Sequence, residues 1–387
     1  MKFTKVSEIW QIEPLPKFKT IFASHLSKFR IVGGAVRDFL LGKTVIDIDL
    51  ATSFTPQELI KTCQRLGVTY KEFAVDHGTL LIIIDGKTLE ITSLRRDVKT
   101  DGRHAIVEFG TDWQQDAARR DFTINAMSVD NNGNLYDYNN GQQDLAASKL
   151  QFIGDIDRRI KEDYLRIIRY ARFASLLAVN NKVMLDASTN AIIKTHLGGL
   201  NQLSKERILS EFTKAMIPKQ WPLMVGFVNE LDIADVIFGN KLLLPGPDCY
   251  FKHQLSPAFY WAQILPQSSV NTVLANWPWP KQLKKQISSY RQNNANKATW
   301  YSLKQHPQHL IELLYFYHQQ QLLPWNAKVV QFYSQRLALT MPVAASDLKL
   351  LVIEQKEYRH YLARAFSIWL TTDKLLSKAE LLSLLVN

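Results

Sequence analysis

The sequence contains only two cysteines, Cys63 and Cys249, among 387 residues. Two cysteines so far apart cannot build a disulfide framework or a cysteine-based metal site, and they favour a reducing compartment. The N-terminal residues MKFTKVSEIW lack the apolar core of a secretory signal. No apolar run reaches the roughly 20 residues of a membrane span. We therefore expect a cytoplasmic protein without a membrane segment.

The sequence also lacks a repeat of fixed period, which excludes a solenoid. Hydrophobic residues make up 46% of the chain, enough for a sizeable core. Lys and Arg number 47 against 36 Asp and Glu, a formal net charge of +11. Such a balance favours a polyanionic partner, either nucleic acid or an anionic membrane surface, and we favour nucleic acid. A protein that is merely basic is the open alternative.

Strand and helix signals alternate only in the first part of the chain, which predicts an α+β class. Long helical patterns take over after about residue 150, so we expect a small mixed β-sheet with helices in a head, followed by an all-helical neck, body and tail. The predicted domains are 1–149, 150–240 and 241–387. The head patterns predict strands at 29–32, 46–50, 79–84 and 87–94, the last two joined in a hairpin at Asp85-Gly86. They also predict a helix that is capped by Thr55 and runs to Gly67, and a helix at 113–129. Beyond the head, they predict helices at 156–177 and 204–217.

Two acidic residues, Asp47 and Asp49, alternate with apolar residues in the predicted strand 46–50. Their side chains would project from one face, while Ile46, Ile48 and Leu50 would point into the core. Neighbouring carboxylates repel each other, and a divalent cation removes the conflict. Hard oxygen ligands suit Mg²⁺, which also binds substrate phosphates. The plainer alternative is a surface strand with a solvated acidic face.

A double glycine upstream favours the metal interpretation. Gly33 and Gly34 would let the backbone approach a phosphate at the start of a helix, and Arg37 would add a cation. A cradle for phosphate beside paired carboxylates is a coherent site for metal-assisted nucleotidyl transfer. Glu90, in a second alternating strand, could supply a third carboxylate, and an exposed strand glutamate is an equally good interpretation.

The glycines, Arg37 and the two aspartates belong to one longer motif, and two further motifs follow it along the chain. Residues 33–52 (GGAVRDFLLGKTVIDIDLAT) resemble the first motif of the class II tRNA nucleotidyltransferase and bacterial poly(A) polymerase family. Residues 119–127 (RRDFTINAM) and 162–173 (EDYLRIIRYARF) resemble the second motif and the nucleotide-selecting motif. The resemblance implies template-independent addition of CCA to the 3′ end of tRNA from CTP and ATP by two-metal nucleotidyl transfer, with Mg²⁺ as the cofactor.

The resemblance also implies residue roles. Asp47 and Asp49 would hold the metal, while Arg120 would lie at the nucleotide phosphates and Asn125 and Asp121 would shape the site. The base-reading positions fall on Asp163 and Arg166, which we expect to lie close on one helix face. An acceptor beside a donor matches the amino group and ring nitrogen of both C and A, whereas U and G would leave polar groups unpaired. We expect Arg169 to help hold the nucleotide, with Arg172 the less certain contact.

Several alternatives stay open within and beyond this family. Residues 95–112 are polar and read as a mobile loop, which the family requires for A addition and which enzymes adding only CC lack. Poly(A) polymerase, CC- or A-adding activity and a non-enzymatic RNA-binding protein are the alternatives. The partner would be tRNA, at its 3′ end and acceptor region, and the C-terminal third would hold it. Lys281, Lys284, Lys285 and Arg291 form a basic stretch there, for which a solvated helix is an equally good interpretation. The sequence does not indicate the oligomeric state.

Overall fold

The computed structural model describes residues 6–75, 78–100, 105–179, 183, 185–217, 219–244, 256–266, 269–292, 342–349, 357–371 and 376–386. The chain forms two compact units. One comprises Met1–Ala215 with Phe227–Ile237, and the other comprises Met216–Gly226 with Phe238–Asn387. The α+β class is confirmed, because the first unit contains a mixed sheet and helices follow along the described chain. The predicted bounds of the three domains stay a prediction.

The sheet of the first unit has seven strands in the order β3-β4-β5-β2-β1-β8-β9. Only the central pair, β2 with β5, is parallel, and the other neighbours are antiparallel. A separate two-stranded sheet joins β6 to β7. The strands are β1 (Phe29–Val32), β2 (Asp49–Thr52), β3 (Thr69–Ala74), β4 (Thr79–Ile84), β5 (Lys87–Ser93), β6 (Arg95–Thr100), β7 (Ala105–Phe109), β8 (Ser128–Asp130) and β9 (Leu135–Tyr136).

Short helices surround the sheet, and longer ones follow it. In chain order, the α-helices described are α1 (Leu15–Ile21), α2 (Gly34–Leu40), α3 (Pro56–Leu66), α4 (Trp113–Ala118), α5 (Gly141–Ala146), α6 (Ile156–Glu162), α7 (Leu165–Ala178), α8 (Ala187–Thr195), α9 (Lys205–Lys214), α10 (Trp221–Glu230), α11 (Ile233–Phe238), α12 (Pro257–Ile264), α13 (Val270–Asn276), α14 (Lys281–Gln292), α15 (Ala345–Leu348), α16 (Tyr358–Thr371) and α17 (Lys378–Val386). Single 3₁₀ segments occur at Val6–Gln11, Ala23–Lys28, Thr123–Asn125 and Leu197–Gln202.

Local sequence signals explain where several of these elements begin and end. The α3 helix starts with a capping box, in which the Thr55 side chain accepts from the Glu58 N–H at 3.3 Å and Glu58 accepts from the Thr55 N–H at 2.8 Å. The helix ends at Gly67, which adopts the left-handed conformation. These bounds and the 79–84 and 87–93 hairpin strands confirm the predictions made from the sequence.

The acidic strand is shorter than predicted. The sequence pattern indicates a strand at 46–50, but β2 begins at Asp49 and Ile46 is 86% exposed instead of buried. The last residue of β1, Val32, pairs with Asp49, and the chain then turns away at Gly33, where φ is 69°. Residues 46–48 therefore have no β1 neighbour to pair with. Ile48 and Leu50 are buried, as expected from the alternation.

The helix predicted at 113–129 is wrong beyond Ala118. The Asp121 carboxylate accepts from the Phe122 N–H at 2.9 Å, offering the backbone an alternative to a helical bond. Phe122 is extended, and its ring packs on Phe152 and Phe173 at centroid distances of 4.7 and 5.4 Å. Burial of this aromatic side chain therefore pulls the motif out of the helix and against α7.

The helix predicted at 156–177 is interrupted. Asp163 is extended, with φ −159° and ψ 106°, and separates α6 from α7. Its carboxylate accepts from the Leu165 N–H at 3.1 Å, at the start of α7. The interruption turns Asp163 off the helix face that it was expected to share with Arg166.

The segment predicted as a mobile loop forms a hairpin in its described part. Strands β6 and β7 pair antiparallel from Arg95 opposite Phe109 to Thr100 opposite Ala105, while residues 101–104 lie outside the described part. The base of the hairpin packs closely on the sheet. A Cβ atom on Gly78 would lie 2.6 Å from the Phe109 ring, so only glycine leaves room for that ring.

The second unit has an aromatic core. Trp221 packs edge-on against Trp261 at 6.0 Å, and Trp261 against Trp279 at 5.1 Å. Trp277 stacks on Phe238 at 4.9 Å. Trp277 and Trp279, next to the predicted basic stretch, are thus core residues.

Candidate active site

A pair of carboxylates lies where the two parallel strands meet. Asp49 on β2 is the register partner of Glu90 on β5, and both line a cleft of about 250 Å³. Although both side chains are exposed, partial desolvation in the cleft is the largest effect on each and raises the pKa of Asp49 and of Glu90. The Asp49 charge raises the pKa of Glu90 further, and Asp47 acts on Asp49 in the same direction. These carboxylates favour a positive ligand between them.

Arginines supply positive charge to the same cleft. Its lining comprises Val32, Asp49, Leu50, Thr79, Glu90, Thr92, Arg95, Arg119 and Arg120. The charge of Arg120 lowers the pKa of Asp49, against the effect of burial. The cleft therefore places acidic and basic side chains together, as binding of a metal–phosphate complex requires.

Gly33 lies beside the guanidinium of Arg120. It adopts φ 69° and ψ −124°, a conformation that is strained for any residue with a Cβ atom. A Cβ atom on Gly33 would lie 3.0 Å from Nη1 of Arg120. The same Nη1 donates to the Asn125 carbonyl at 3.4 Å. Gly33 thus provides the room that Arg120 occupies, while a Cβ on Gly34 would meet Arg37 at an ordinary 3.6 Å.

One buried carboxylate orients both adjacent arginines. Asp116 accepts from Arg119 at 2.6 Å and from Arg120 at 3.1 Å. Burial raises the pKa of Asp116, but the two arginines outweigh it and lower that pKa overall. The sequence reasoning missed Asp116, although its spacing of three and four residues from the arginines on a helix was a usable signal.

Arg37 and Asn125 begin a second network behind the cleft. Arg37 is buried, and it forms a two-pronged ion pair with Asp38 and donates to Asn125 Oδ1 at 2.6 Å. The Asn125 side chain in turn donates to Asp121 at 3.2 Å. The predicted phosphate role of Arg37 stays a prediction, and its observed contacts are to protein.

The predicted base-reading residues have separate partners. Asp163 accepts from Arg207 at 2.7 Å, whereas Arg166 donates to Glu162 at 2.8 Å. Glu162 also accepts from Arg159 at 2.5 Å. The expected side-by-side placement on one helix face is therefore wrong, because the chain is extended at Asp163. Both residues lie at the junction of α6 and α7.

Arg169 and Arg172 share a buried carboxylate. Arg169 pairs with Asp121 through Nε at 2.7 Å and with Glu211 at 3.4 Å, and Arg172 donates to Glu211 at 2.7 Å. Burial lowers the pKa of Arg172 to about 10, although Glu211 raises it. Glu211 and Arg207 were also missed by sequence reasoning. They lie on α9, about 40 residues from their partners, and no local spacing reveals them.

The described residues show no group of three or more His, Cys, Asp or Glu side chains arranged to hold a metal ion. A metal at Asp47 and Asp49 would therefore need phosphate or water oxygens as further ligands, as is usual for Mg²⁺.

In the part of the chain that the structure describes, no helix is both long and apolar enough to cross a membrane.

Comparison with known proteins identifies the head. Residues 29–151 match the family described as the poly A polymerase head domain. The chain is 41% identical to mitochondrial CCA tRNA nucleotidyltransferase 1 of Danio rerio over 232 residues, which are 60% of this chain and 54% of that protein. It is 37% identical to a CCA-adding enzyme of Streptococcus pyogenes over 212 residues, 54% of this chain and 51% of that protein. The chain thus spans about half the length of the curated relatives it matches.

The fold of the whole chain resembles a solved structure. The CCA-adding enzyme of Bacillus stearothermophilus, solved in complex with CTP, superposes with a TM-score of 0.70 over 100% of this chain and 98% of that one, at 20% identity. At that identity the likeness concerns the fold. The head-domain match shows that residues 29–151 form a head domain of the poly A polymerase family.

Proposed function

We propose that this protein is a nucleotidyltransferase that adds CCA to the 3′ end of tRNA from CTP and ATP. The observation that carries the proposal is the cleft in which Asp49 and Glu90 face Arg120. Nucleotidyl transfer needs a positively charged clamp for a triphosphate next to groups that position the reacting oxygens. The relatives with this head are named as CCA-adding enzymes, which supports the same activity here.

Asp47 and Asp49 would hold Mg²⁺, with Glu90 beside them. The donor set fits, since the pKa of Asp49 and Glu90 is raised in a way that a bound cation would reverse. When bound, the ion would neutralise phosphate charge and activate the 3′ oxygen of the tRNA. Arg120, fixed by Asp116, would bind the triphosphate in the same cleft.

Asp163 and Arg166 would read the base edge from the junction of α6 and α7. A carboxylate has about four acceptor positions, so Asp163 can keep Arg207 and still accept an amino proton from C or A. Arg166 has donors to spare beyond its bond to Glu162. Each mismatched polar group of U or G would cost about 1–3 kcal/mol. Arg169 and Arg172 would support the base-reading side chains through their ion pairs with Asp121 and Glu211.

The second unit would bind the tRNA acceptor region. Lys281, Lys284 and Lys285 are exposed on α14 and could contact backbone phosphates.

Two features support full CCA addition over partial addition. The 95–112 segment is present, and a curated relative is named as a CCA tRNA nucleotidyltransferase. Poly(A) polymerase, CC-adding and A-adding activities are the alternatives within the family, and RNA binding without catalysis is the alternative outside it.

A primer-extension experiment separates these functions. The purified protein is incubated with Mg²⁺ and tRNA that lacks its 3′ CCA, with each nucleotide alone and with all four, and the 3′ ends are sequenced. Two C residues followed by one A would support the proposal. Addition of C alone, of A to a CC end alone, or of a long A tract would each identify a different family activity. No incorporation, with tRNA binding retained, would leave the non-enzymatic function.

A further inference from the structure

One arginine outside the predicted site joins its two halves. Arg159 lies on α6, and its Nη2 donates to the backbone carbonyls of both Arg119 and Arg120. Its Nη1 donates to Glu162 at 2.5 Å, on the same oxygen that accepts from Arg166 at 2.8 Å. The Arg159 side chain is only 11% exposed.

The contacts of Arg159 with the Arg119–Arg120 turn satisfy carbonyls at the end of a helix. The α4 helix ends at Ala118 with Arg119 as its C-cap, and carbonyls at a helix C-terminus lack intrahelical partners and carry partial negative charge. A guanidinium has donors in a fixed planar fork, so the turn and the α6 helix are held at one distance and angle. Arg120 points from this turn into the cleft.

The contacts on the other side of Arg159 reach the base-reading junction. Glu162 is the last residue of α6, and Arg166 also donates to the Arg159 carbonyl. Arg166 therefore depends on Arg159 twice, through a shared carboxylate and through the main chain. A displacement of the Arg119–Arg120 turn would therefore be transmitted to Arg166 through the guanidinium of Arg159.

We propose that Arg159 is a positioning residue that couples the phosphate-binding side chain of Arg120 to the base-reading side chain of Arg166. This inference rests on the proposed function, which assigns those two roles. It predicts that removal of Arg159 impairs phosphate binding and base discrimination together, although Arg159 does not line the cleft.

The neighbouring Arg158 provides a matched control. It pairs with the same Glu162 at 3.2 Å, but its side chain is 80% exposed. The variants are Arg159→Gln, Arg159→Lys and Arg158→Gln in the full chain. For each we would measure the melting temperature, calorimetric binding of tripolyphosphate, and the ratio of kcat/KM for CTP over UTP.

For Arg159→Gln we expect the CTP/UTP ratio to fall about tenfold and tripolyphosphate binding to weaken about threefold or more, both within the net contribution of one ordinary hydrogen bond. Arg159→Lys should give intermediate values, because an ammonium keeps the charge but not the fork. Arg158→Gln should stay within about twofold of wild type in both measurements.

A purely structural role would lower the melting temperature and leave the CTP/UTP ratio unchanged, and that result would overturn the proposal. If Arg159→Gln does not fold, Arg159→Lys decides by the same ratio. Failure of the proposed function is distinguishable, since wild-type protein would then give one of the other products of the primer-extension experiment or incorporate no nucleotide. The comparison of the variants would still be possible from calorimetric binding of CTP and UTP, where equal discrimination in Arg159→Lys and wild type would contradict the coupling.

Discussion

Replacing Gly33 by alanine should damage the active site as well as the fold. Two effects add at this position. The φ of 69° with ψ −124° is strained for any side chain, at a cost of about 1–3 kcal/mol in unfolding free energy. The new Cβ would also lie 3.0 Å from Nη1 of Arg120, so the guanidinium must move. If Arg120 binds phosphate, loss of a charged hydrogen bond of about 1.5–3 kcal/mol would lower kcat/KM by about 10- to 150-fold.

Gly67 supplies a control for a positive φ without a neighbouring side chain, with ψ 29° where Gly33 has ψ −124°. It has φ 66°, close to that of Gly33, but a Cβ there would meet nothing within 4 Å. Gly67→Ala should therefore lower the melting temperature without lowering kcat/KM for CMP incorporation into tRNA. The assay compares both variants with wild type under conditions in which all are folded.

A double-mutant cycle identifies the route of the effect. If the alanine acts through the displaced guanidinium, Gly33→Ala should cost little additional activity when Arg120 is already alanine. The reasoning would be refuted if Gly33→Ala kept kcat/KM within about twofold of Gly67→Ala, or if its effect were unchanged in the Arg120→Ala background.

Three further substitutions test other parts of the site. Asp49→Asn should reduce CMP incorporation by about 1,000-fold or more while tRNA binding by filter assay persists, because several kcal/mol of charge stabilisation would be lost; substantial turnover would contradict the metal role. Asp163→Ala should reduce the preference for CTP over UTP by about 10- to 100-fold, and an unchanged ratio would remove the base-reading role. Glu211→Gln should lower the unfolding free energy by about 1–3 kcal/mol at neutral pH, measured by urea denaturation. Burial raises the pKa of Glu211, but Arg172 and then Arg169 lower it below its ordinary 4.5, so its stabilisation is present above pH 4.5 and lost as pH falls further. Equal pH dependence in wild type and Glu211→Gln below that pH would contradict this assignment.

The sequence predicted those features that depend on neighbouring residues. The cap at Thr55, the stop at Gly67 and the hairpin turn at Asp85 follow from local backbone preferences, and the structure contains each of them. The alternating pattern around Glu90 allowed a place beside the aspartates or on an exposed strand, and its pairing with Asp49 depends on a parallel register that spacing alone does not define.

The features that sequence reasoning predicted wrongly depend on distant contacts. A helix through Arg120 was expected, but the buried Phe122 ring competes with helix formation and pulls the chain toward α7. The helical face shared by Asp163 and Arg166 was expected from spacing, yet the extended conformation of Asp163 interrupts it. Likewise, nothing near Arg172 in the sequence indicates that its partner is Glu211 on α9.

The most direct test of the central claim is a crystal of this protein with CTP and Mn²⁺ in place of Mg²⁺, examined by anomalous scattering at the manganese edge. We expect an anomalous peak from a manganese ion that is bound by oxygens of Asp47, Asp49 and the triphosphate, with Glu90 nearby. A well-ordered CTP with no metal peak at these carboxylates, or with both side chains directed away from it, would contradict the account.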